Sequence, residues 1–323
     1  MNLGAQTIDW LYNVQLQVDD EWAVRTPNGF TWWADQNAQT IEVIGEDVGP
    51  DGQPGYTIAV RTEMLTDLDL TDEVLRDLND GPMRCAAMDG PVYDEATRTL
   101  SLCSLVRTHG EIASWMRILI SSAAVLQIAE ARTLGPVFAE QFDAKPALSG
   151  HPQNGLREQP DDMCFTAGMF LEQGKQPCAW QAEEFEESMK QYMSEPPAVR
   201  SSSAGLGATV EFPFGERTSL LVLSGEQQHP IYGNGLLIVQ RFPVTPASAP
   251  LGVRMALDLN AADLTRQVAG YGFGSYAYAD EMICFTGFIP NALRQPGLLA
   301  SIYFSCATRA HSMAIRLMNA PWS

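Results

Sequence analysis

The stretch that decides the fold runs from Tyr56 to Arg132 and opens with YTIAVR at 56–61. Apolar and polar side chains alternate there, and a period of two is the signature of a strand. TDEVLRDLND at 71–80 follows, with acidic residues in its first turn and apolar residues at helical spacing. It predicts a short helix that ends at Asn79-Asp80-Gly81-Pro82.

The remainder of this stretch predicts a β-hairpin and a long helix. Two apolar runs, Met83–Met88 and Thr99–Val106, are separated by turn residues that include Asp89-Gly90-Pro91, a pattern typical of paired strands. From Glu111 to Arg132, apolar residues occupy more than one face of a helix, which predicts burial on several sides. Polar residues within this run make a membrane span the weaker alternative.

A similar order of elements returns from Leu251 to Leu317. In this second copy, Val253-Arg254 matches Val60-Arg61, and Leu259-Asn260 opens a short helix. The predicted hairpin strands are Ser275–Ala279 and Met282–Ile289, and the predicted long helix is Leu298–Met318.

Further helices and strands are predicted upstream of each copy. They are Thr7–Val18, Phe30–Ala34 and Thr40–Ile44 in the first half, and Ala182–Met193, Ala208–Phe214, Ser219–Leu223 and Leu236–Phe242 in the second. The predicted fold class is therefore α+β. We expect two similar α-β-β-β-α-β-β-α domains with antiparallel sheets flanked by helices, in a pseudo-twofold arrangement. The predicted ranges are 1–135 for the first copy, 136–200 for a linker with helical segments, and 201–323 for the second copy.

Charge and cysteine usage narrow the classes of partner. The net charge is −19, and residues 1–135 contain 21 acidic against 8 basic side chains, or −13. Such a surface repels nucleic acid and anionic membranes and favours a partner with basic segments. Six cysteines are dispersed without a C-x-x-C pair, which is typical of reduced thiols in a cytoplasmic protein. We expect no signal peptide and no transmembrane segment.

The order of elements resembles the type III secretion chaperone-like fold, including the YbjN-like proteins. In that family a short helix with a Leu-Asn ending precedes a hairpin and a long closing helix, and Leu78-Asn79 stands in that place here. The second half has Val268-Ala269-Gly270 instead. Secretion chaperones of this family are small acidic homodimers that bind partner proteins in extended form. The resemblance implies two fused copies, either a monomer with an internal pseudo-dimer or a homodimer, and it implies no enzymatic site.

Tryptophans are the candidate partner-binding residues. Trp32 and Trp33 are adjacent in a predicted strand, so their side chains point to opposite faces of a sheet. One should pack in the core, while the other, with Trp10 or Trp22 nearby, would lie on an exposed face and contact a partner. The alternative is that both are covered, one by each layer. We take Trp10, Trp32 and Trp33 as candidates.

Catalytic and metal motifs are weak. His109-x-Glu111 lacks the downstream P-C-x-x-C of zinc deaminases, and Asp67, Asp69, Asp72 and Glu73 fit helix capping better than a calcium loop. We predict no catalytic residue, no metal and no cofactor. The leading hypothesis is a non-enzymatic adaptor or chaperone-like protein that binds another polypeptide through sheet and helix surfaces. The alternatives are an enzyme with a site between the two domains and a structural subunit of a larger assembly.

Overall fold

The structure, a computed structural model, describes residues 2–49, 52–168, 180–190, 199–202, 205–265 and 270–319. It divides into two compact units. Unit 1 contains Met1–Val74 and Asp89–Gly168, and unit 2 contains Leu75–Met88 and Met169–Ser323. Each unit has an antiparallel sheet with helices, so the predicted α+β class is confirmed. The units are interleaved along the chain, whereas the predicted ranges were sequential.

Unit 1 is built on a sheet in which every strand pairing is antiparallel. Its strands are β1 (Ala23–Thr26), β2 (Gly29–Trp32), β3 (Gln39–Val48), β4 (Pro54–Thr66), β5 (Gly90–Asp94), β6 (Thr99–His109) and the short β7 (Lys145–Pro146). The spatial order is β1-β2-β3-β4-β6-β5, and β7 pairs with β4. The predicted strand at Thr99–Val106 is thus confirmed within β6.

The helices of unit 1 pack on this sheet. They are α1 (Leu3–Trp10), which continues as a π-helical turn at Leu11–Gln15, and α3 (Ala113–Gln141). The most apolar part of α3 would suit a membrane by length and composition, but 67% of it is buried inside the protein, as expected of a core helix. A buried amide joins the layers, since Gln39 Nε2 donates to the carbonyl oxygen of Ala124 at 2.9 Å.

Unit 2 has its own antiparallel sheet. Its strands are β8 (Val199–Ser202), β9 (Gly205–Phe214), β10 (Arg217–His229), β11 (Gly233–Arg241), β12 (Ser275–Ala279) and β13 (Met282–Pro290), in the order β12-β13-β11-β10-β9-β8. Its helices are α4 (Ala182–Lys190), α5 (Ala249–Leu264) and α6 (Leu298–Asn319). Gln240 Nε2 donates to the Cys306 carbonyl of α6 at 2.8 Å. The predicted hairpin strands and closing helix of the second half are confirmed.

The predicted strand at Met83–Met88 is wrong. Helix α2 (Asp72–Arg84) continues through Gly81-Pro82, and the division between the units falls inside it, after Val74. Asn79, which the sequence suggested as a helix stop, instead bonds the free edge of β12. Its Nδ2 donates to Tyr278 O at 3.0 Å, and its Oδ1 accepts from Tyr278 N at 2.6 Å. Both polar atoms of the Asn79 side chain are used in these bonds, so they are not available to cap a helix end.

The register proposed for the second copy is also wrong. Val253-Arg254 and Leu259-Asn260 all lie within α5, so neither begins a strand or opens a helix. The strand before this helix is β11. Asn260 Oδ1 accepts from Tyr276 N at 2.8 Å. Tyr276 lies on the same edge of β12 as Tyr278, the residue that Asn79 bonds, and precedes it by two residues.

The described residues contain strands that were not predicted, namely β1 and β7 in the first half and β8 in the second. β1 and β8 are four residues long and lie at the ends of their sheets. In β1 the side chains are largely exposed, so no apolar alternation marks it in the sequence. Short polar edge strands of this kind lack the pattern that identifies a half-buried strand.

Candidate functional site at the edge of the first sheet

Strand β1 offers a free backbone edge. It pairs with β2 in the register Ala23↔Trp32 to Thr26↔Gly29, and no described strand adjoins its other side. Trp33 N donates to Trp22 O at 2.9 Å. Because hydrogen-bonded positions alternate along an antiparallel pair, Ala23 and Arg25 direct their backbone N–H and C=O groups away from β2.

A pocket of about 660 Å³ lies beside this edge. One wall is the segment from Asp20 to Val24, and the other is the turn at His151-Pro152-Gln153-Asn154. The two walls are joined because Asn154 Nδ2 donates to Glu21 O. A strand added next to β1 would therefore pass the mouth of the pocket, and a side chain of that strand could enter it.

His151 lines the pocket and has a buried ring nitrogen. Its Nδ1 accepts from the backbone N–H groups of Gln153 and Asn154, each at 3.3 Å, so the proton of the neutral ring lies on Nε2. The residue is only 6% exposed, and Nε2 has no hydrogen-bond partner among the described residues. The ring meets Trp33 edge-on at 5.1 Å and Trp22 at 6.2 Å between centroids.

The charge around the pocket is predominantly negative. Asp20 Oδ1 accepts from the Tyr12 hydroxyl at 2.5 Å, and burial together with this carboxylate raises the pKa of Tyr12. Asp19 Oδ1 accepts from Glu21 N at 3.0 Å. The nearest buried cation, Arg157, already donates to Trp33 O, Gln159 O and Asp161. Asp20 and Glu21 therefore leave an acidic rim at the mouth.

The predicted tryptophans occupy other positions. Trp32 is fully buried, with its Nε1 donating to Gln39 at 2.9 Å, and Trp33 is 6% exposed under the loop that carries Ser149. Trp10 is half-buried, with the Arg117 guanidinium 3.9 Å above its ring. The alternative of two covered indoles thus describes Trp32 and Trp33. The half-buried indole at the sheet edge is Trp22, which the sequence suggested only as a neighbour.

The other sequence candidates fall into structural roles. Asp67 pairs with Lys145 and Asp69 with Arg98, both at 2.8 Å, and the hydrogen bond with Lys145 lowers the pKa of Asp67. Thr71 Oγ1 accepts from Val74 N at 3.3 Å at the start of α2. Across the part of the chain that the structure describes, no three His, Cys, Asp or Glu side chains are grouped to hold a metal. Cys178 lies outside that part.

A second histidine turn occurs in unit 2. His229 Nδ1 accepts from Ile231 N and Tyr232 N, both at 3.1 Å, as His151 Nδ1 does in its own His-Pro turn. The ring stacks on Tyr232 at 4.7 Å and lies 4.6 Å from Phe288. Its Nε2 is 3.1 Å from Cys85 Sγ. No local sequence pattern links Cys85 with His229, and the His-Pro dipeptide that the two turns share is the signal present in the sequence.

Neither a family model nor a curated protein matches this chain.

Proposed function

We propose that the protein is a non-enzymatic, chaperone-like adaptor of the cytoplasm that binds an extended segment of another polypeptide. The binding site is the β1 edge together with the adjoining pocket, which we call the β1 site; it comprises Asp20–Val24, Arg25 and His151–Asn154. The observation that carries the proposal is an exposed edge strand lying directly beside a pocket with a buried ring nitrogen and an acidic rim.

Strand addition explains how the site would hold a peptide of varied sequence. The outward N–H and C=O groups of Ala23 and Arg25 supply backbone hydrogen bonds, which give affinity without reading side chains. Alternate side chains of the added strand face the pocket, so selectivity comes from what the pocket accepts. The edge is short, and this favours reversible binding over permanent sheet extension.

The chemistry of the pocket defines the preferred segment. His151 Nε2–H is buried and lacks a partner among the described residues, so an Asn or Gln side chain inserted into the pocket is the acceptor that suits it. The carboxylates of Asp20 and Glu21 favour lysine or arginine at positions next to the inserted residue. Trp22 supplies the apolar wall and is the expected hot spot. The partner is thus an extended basic segment.

We further infer that the two halves are copies of one module, as the resemblance to secretion chaperones implies. Support comes from the strand orders, because β1-β2-β3-β4-β6-β5 and β8-β9-β10-β11-β13-β12 correspond strand for strand. The Leu-Asn pair also recurs once Leu78-Asn79 is matched with Leu259-Asn260, and both asparagines bond the backbone of β12.

Binding of designed peptides tests the β1 site. A decapeptide of alternating valine and lysine is titrated against the protein, with alternating valine and glutamate as the matched probe, and NMR follows the Ala23 and Arg25 amides. We expect the basic peptide to bind more tightly and to shift both amides. Trp22→Ala should weaken binding by roughly 30-fold or more, as at a hot spot, and Glu21→Lys should remove the preference for the basic peptide.

The backbone contribution is isolated by a pair of variants. Arg25→Ala removes the side chain that lies over Tyr12 but retains the outward N–H. Arg25→Pro removes the N–H as well, and an outward-facing proline on an edge strand leaves the β1–β2 ladder intact. Weaker binding in Arg25→Pro than in Arg25→Ala supports strand addition. Equal binding by the two variants, with both folded, would rule it out.

A further inference from the structure

Cys85 differs from the other cysteines that the structure describes. Cys103, Cys164, Cys284 and Cys306 are between 1% and 6% exposed, and burial raises the pKa of Cys164 to about 12 and those of Cys284 and Cys306 to about 11. Cys85 is only partly buried. It follows α2, with its N–H donating to Gly81 O at 2.9 Å, and its sulfur faces an imidazole nitrogen at 3.1 Å.

The tautomer of His229 determines what this pair can do. Two backbone N–H groups occupy Nδ1, so the ring proton is on Nε2, the nitrogen that faces the sulfur. Burial lowers the pKa of His229, against a hydrogen bond with the Ala86 backbone that raises it, so the ring is neutral near pH 7. A nitrogen that already carries its proton cannot accept one from the thiol. The imidazole therefore faces the sulfur with a proton that it shares with the Ala86 backbone, and it stabilises the thiolate more than the thiol.

We propose that Cys85 is a site of reversible oxidation by hydroperoxides, held reactive by the His229 N–H. The thiolate sulfur attacks one peroxide oxygen, an S–O bond forms and the O–O bond breaks. Sulfur is oxidised by two electrons to the sulfenic acid, and the peroxide is reduced to an alcohol, or to water from hydrogen peroxide, which takes the thiol proton. A second thiol condenses with the sulfenic acid, which releases water and forms a mixed disulfide. A further thiol attacks the outer sulfur of that disulfide and releases Cys85 as the thiolate.

Oxidation at this position would act on the whole segment Leu75–Met88. Cys85 lies between two attachments of that segment to the sheet of unit 2. On one side Asn79 makes two bonds to the Tyr278 backbone, and on the other Ala87 O accepts from Phe288 N at 3.1 Å. A sulfenic oxygen placed between the sulfur and His229 Nε2 breaks the contact at 3.1 Å and strains both attachments. The expected result is a loosened segment.

Peroxide labelling tests the reactivity. The whole protein is treated with hydrogen peroxide and a 1,3-dione that traps sulfenic acids, and mass spectrometry follows each cysteine. We expect Cys85 to be trapped first. His229→Asn should slow trapping about tenfold, because asparagine keeps the turn through its side-chain oxygen but places no donor on the sulfur. His311→Asn, at an exposed position of α6, is the control and should leave the rate unchanged.

Two results would overturn the proposal. One is an unchanged rate in His229→Asn, confirmed as folded by circular dichroism; the other is a rate at Cys85 no faster than that of a small-molecule thiol at the same pH. The structural consequence has its own readout, because hydrogen exchange in Leu75–Met88 should rise after peroxide in the natural protein and stay constant in Cys85→Ser. Equal exchange before and after oxidation would refute the loosening. Neither measurement depends on the β1 site.

Discussion

Replacing Glu130 by Gln should make unit 1 more stable at pH 8 and reduce its dependence on pH. Glu130 lies on α3, and burial raises its pKa from an ordinary 4.5 to about 7. The pKa of Asp89 is also raised, first by burial and then by the charge of Glu130. A raised carboxyl pKa contributes stability that is complete below pH 4.5 and is lost as the pH rises through 7.

The magnitude follows from this difference. At 1.36 kcal/mol per pKa unit, a change from 4.5 to about 7 corresponds to roughly 3 kcal/mol. The Glu130 side chain retains some access to solvent, so we expect Glu130→Gln to stabilise unit 1 by about 1–3 kcal/mol at pH 8. At pH 4.5 the glutamine and the protonated glutamate should differ little.

Urea denaturation followed by tryptophan fluorescence measures this effect. Trp10, Trp22, Trp32, Trp33 and Trp115, five of the seven tryptophans, belong to unit 1, so the signal reports mainly that unit. Glu140→Gln, at an exposed position of the same helix, is the control and should change stability by less than about 0.5 kcal/mol. If Glu130→Gln unfolds at the same urea concentration as the natural protein at both pH values, the buried charge carries no energetic cost and the reasoning fails.

Three further predictions concern unit 2. Asn79→Ala should cost about 1–3 kcal/mol in local opening, since two bonds to Tyr278 are lost; undiminished exchange protection of Leu75–Met88 would contradict this. Burial raises the pKa of Asp263 from 3.8 to about 6, so unit 2 should lose stability as the pH rises through 6, and Asp263→Asn should flatten that profile in urea titrations followed by hydrogen exchange. Gly274→Ala should destabilise by at least about 2 kcal/mol, because φ is +130° and a Cβ would lie 2.2 Å from Thr286 O; an unchanged midpoint would refute it.

The elements that sequence predicted well are those whose patterns depend on the core. β12, β13 and α6 were placed within a few residues, because each has a buried face that imposes its own periodicity. The β1 strand was missed because exposed edge residues need no such pattern. The Met83–Met88 strand was mispredicted because an apolar run indicates burial without specifying conformation. Met83 belongs to the exposed end of α2, and the buried Ala86 and Met88 follow the helix outside any strand.

The sequence predicted the type of residue at the candidate site, a tryptophan, but not its position in the chain. One of Trp32 and Trp33 was expected to be exposed, with Trp10 or Trp22 nearby, but both are buried, and the half-buried indole beside β1 is Trp22. The wall formed by His151–Asn154 lies more than a hundred residues from Trp22 in sequence, so no local pattern connects the two. Likewise the Cys85–His229 contact spans 144 residues. The sequence did contain the repeated His-Pro dipeptide. In each of these turns, two backbone N–H groups donate to Nδ1 of the histidine and fix the orientation of its ring.

The division of the chain inside α2 has a consequence for synthesis on the ribosome. Asn79 finds its partner Tyr278 only 199 residues later in the chain, so Leu75–Met88 emerges long before the strand that receives it. Until then, its apolar side chains remain in water and are open to nascent-chain factors. A truncated product that ends before β12 would leave this segment permanently unmatched, and aggregation of such fragments is the expected outcome.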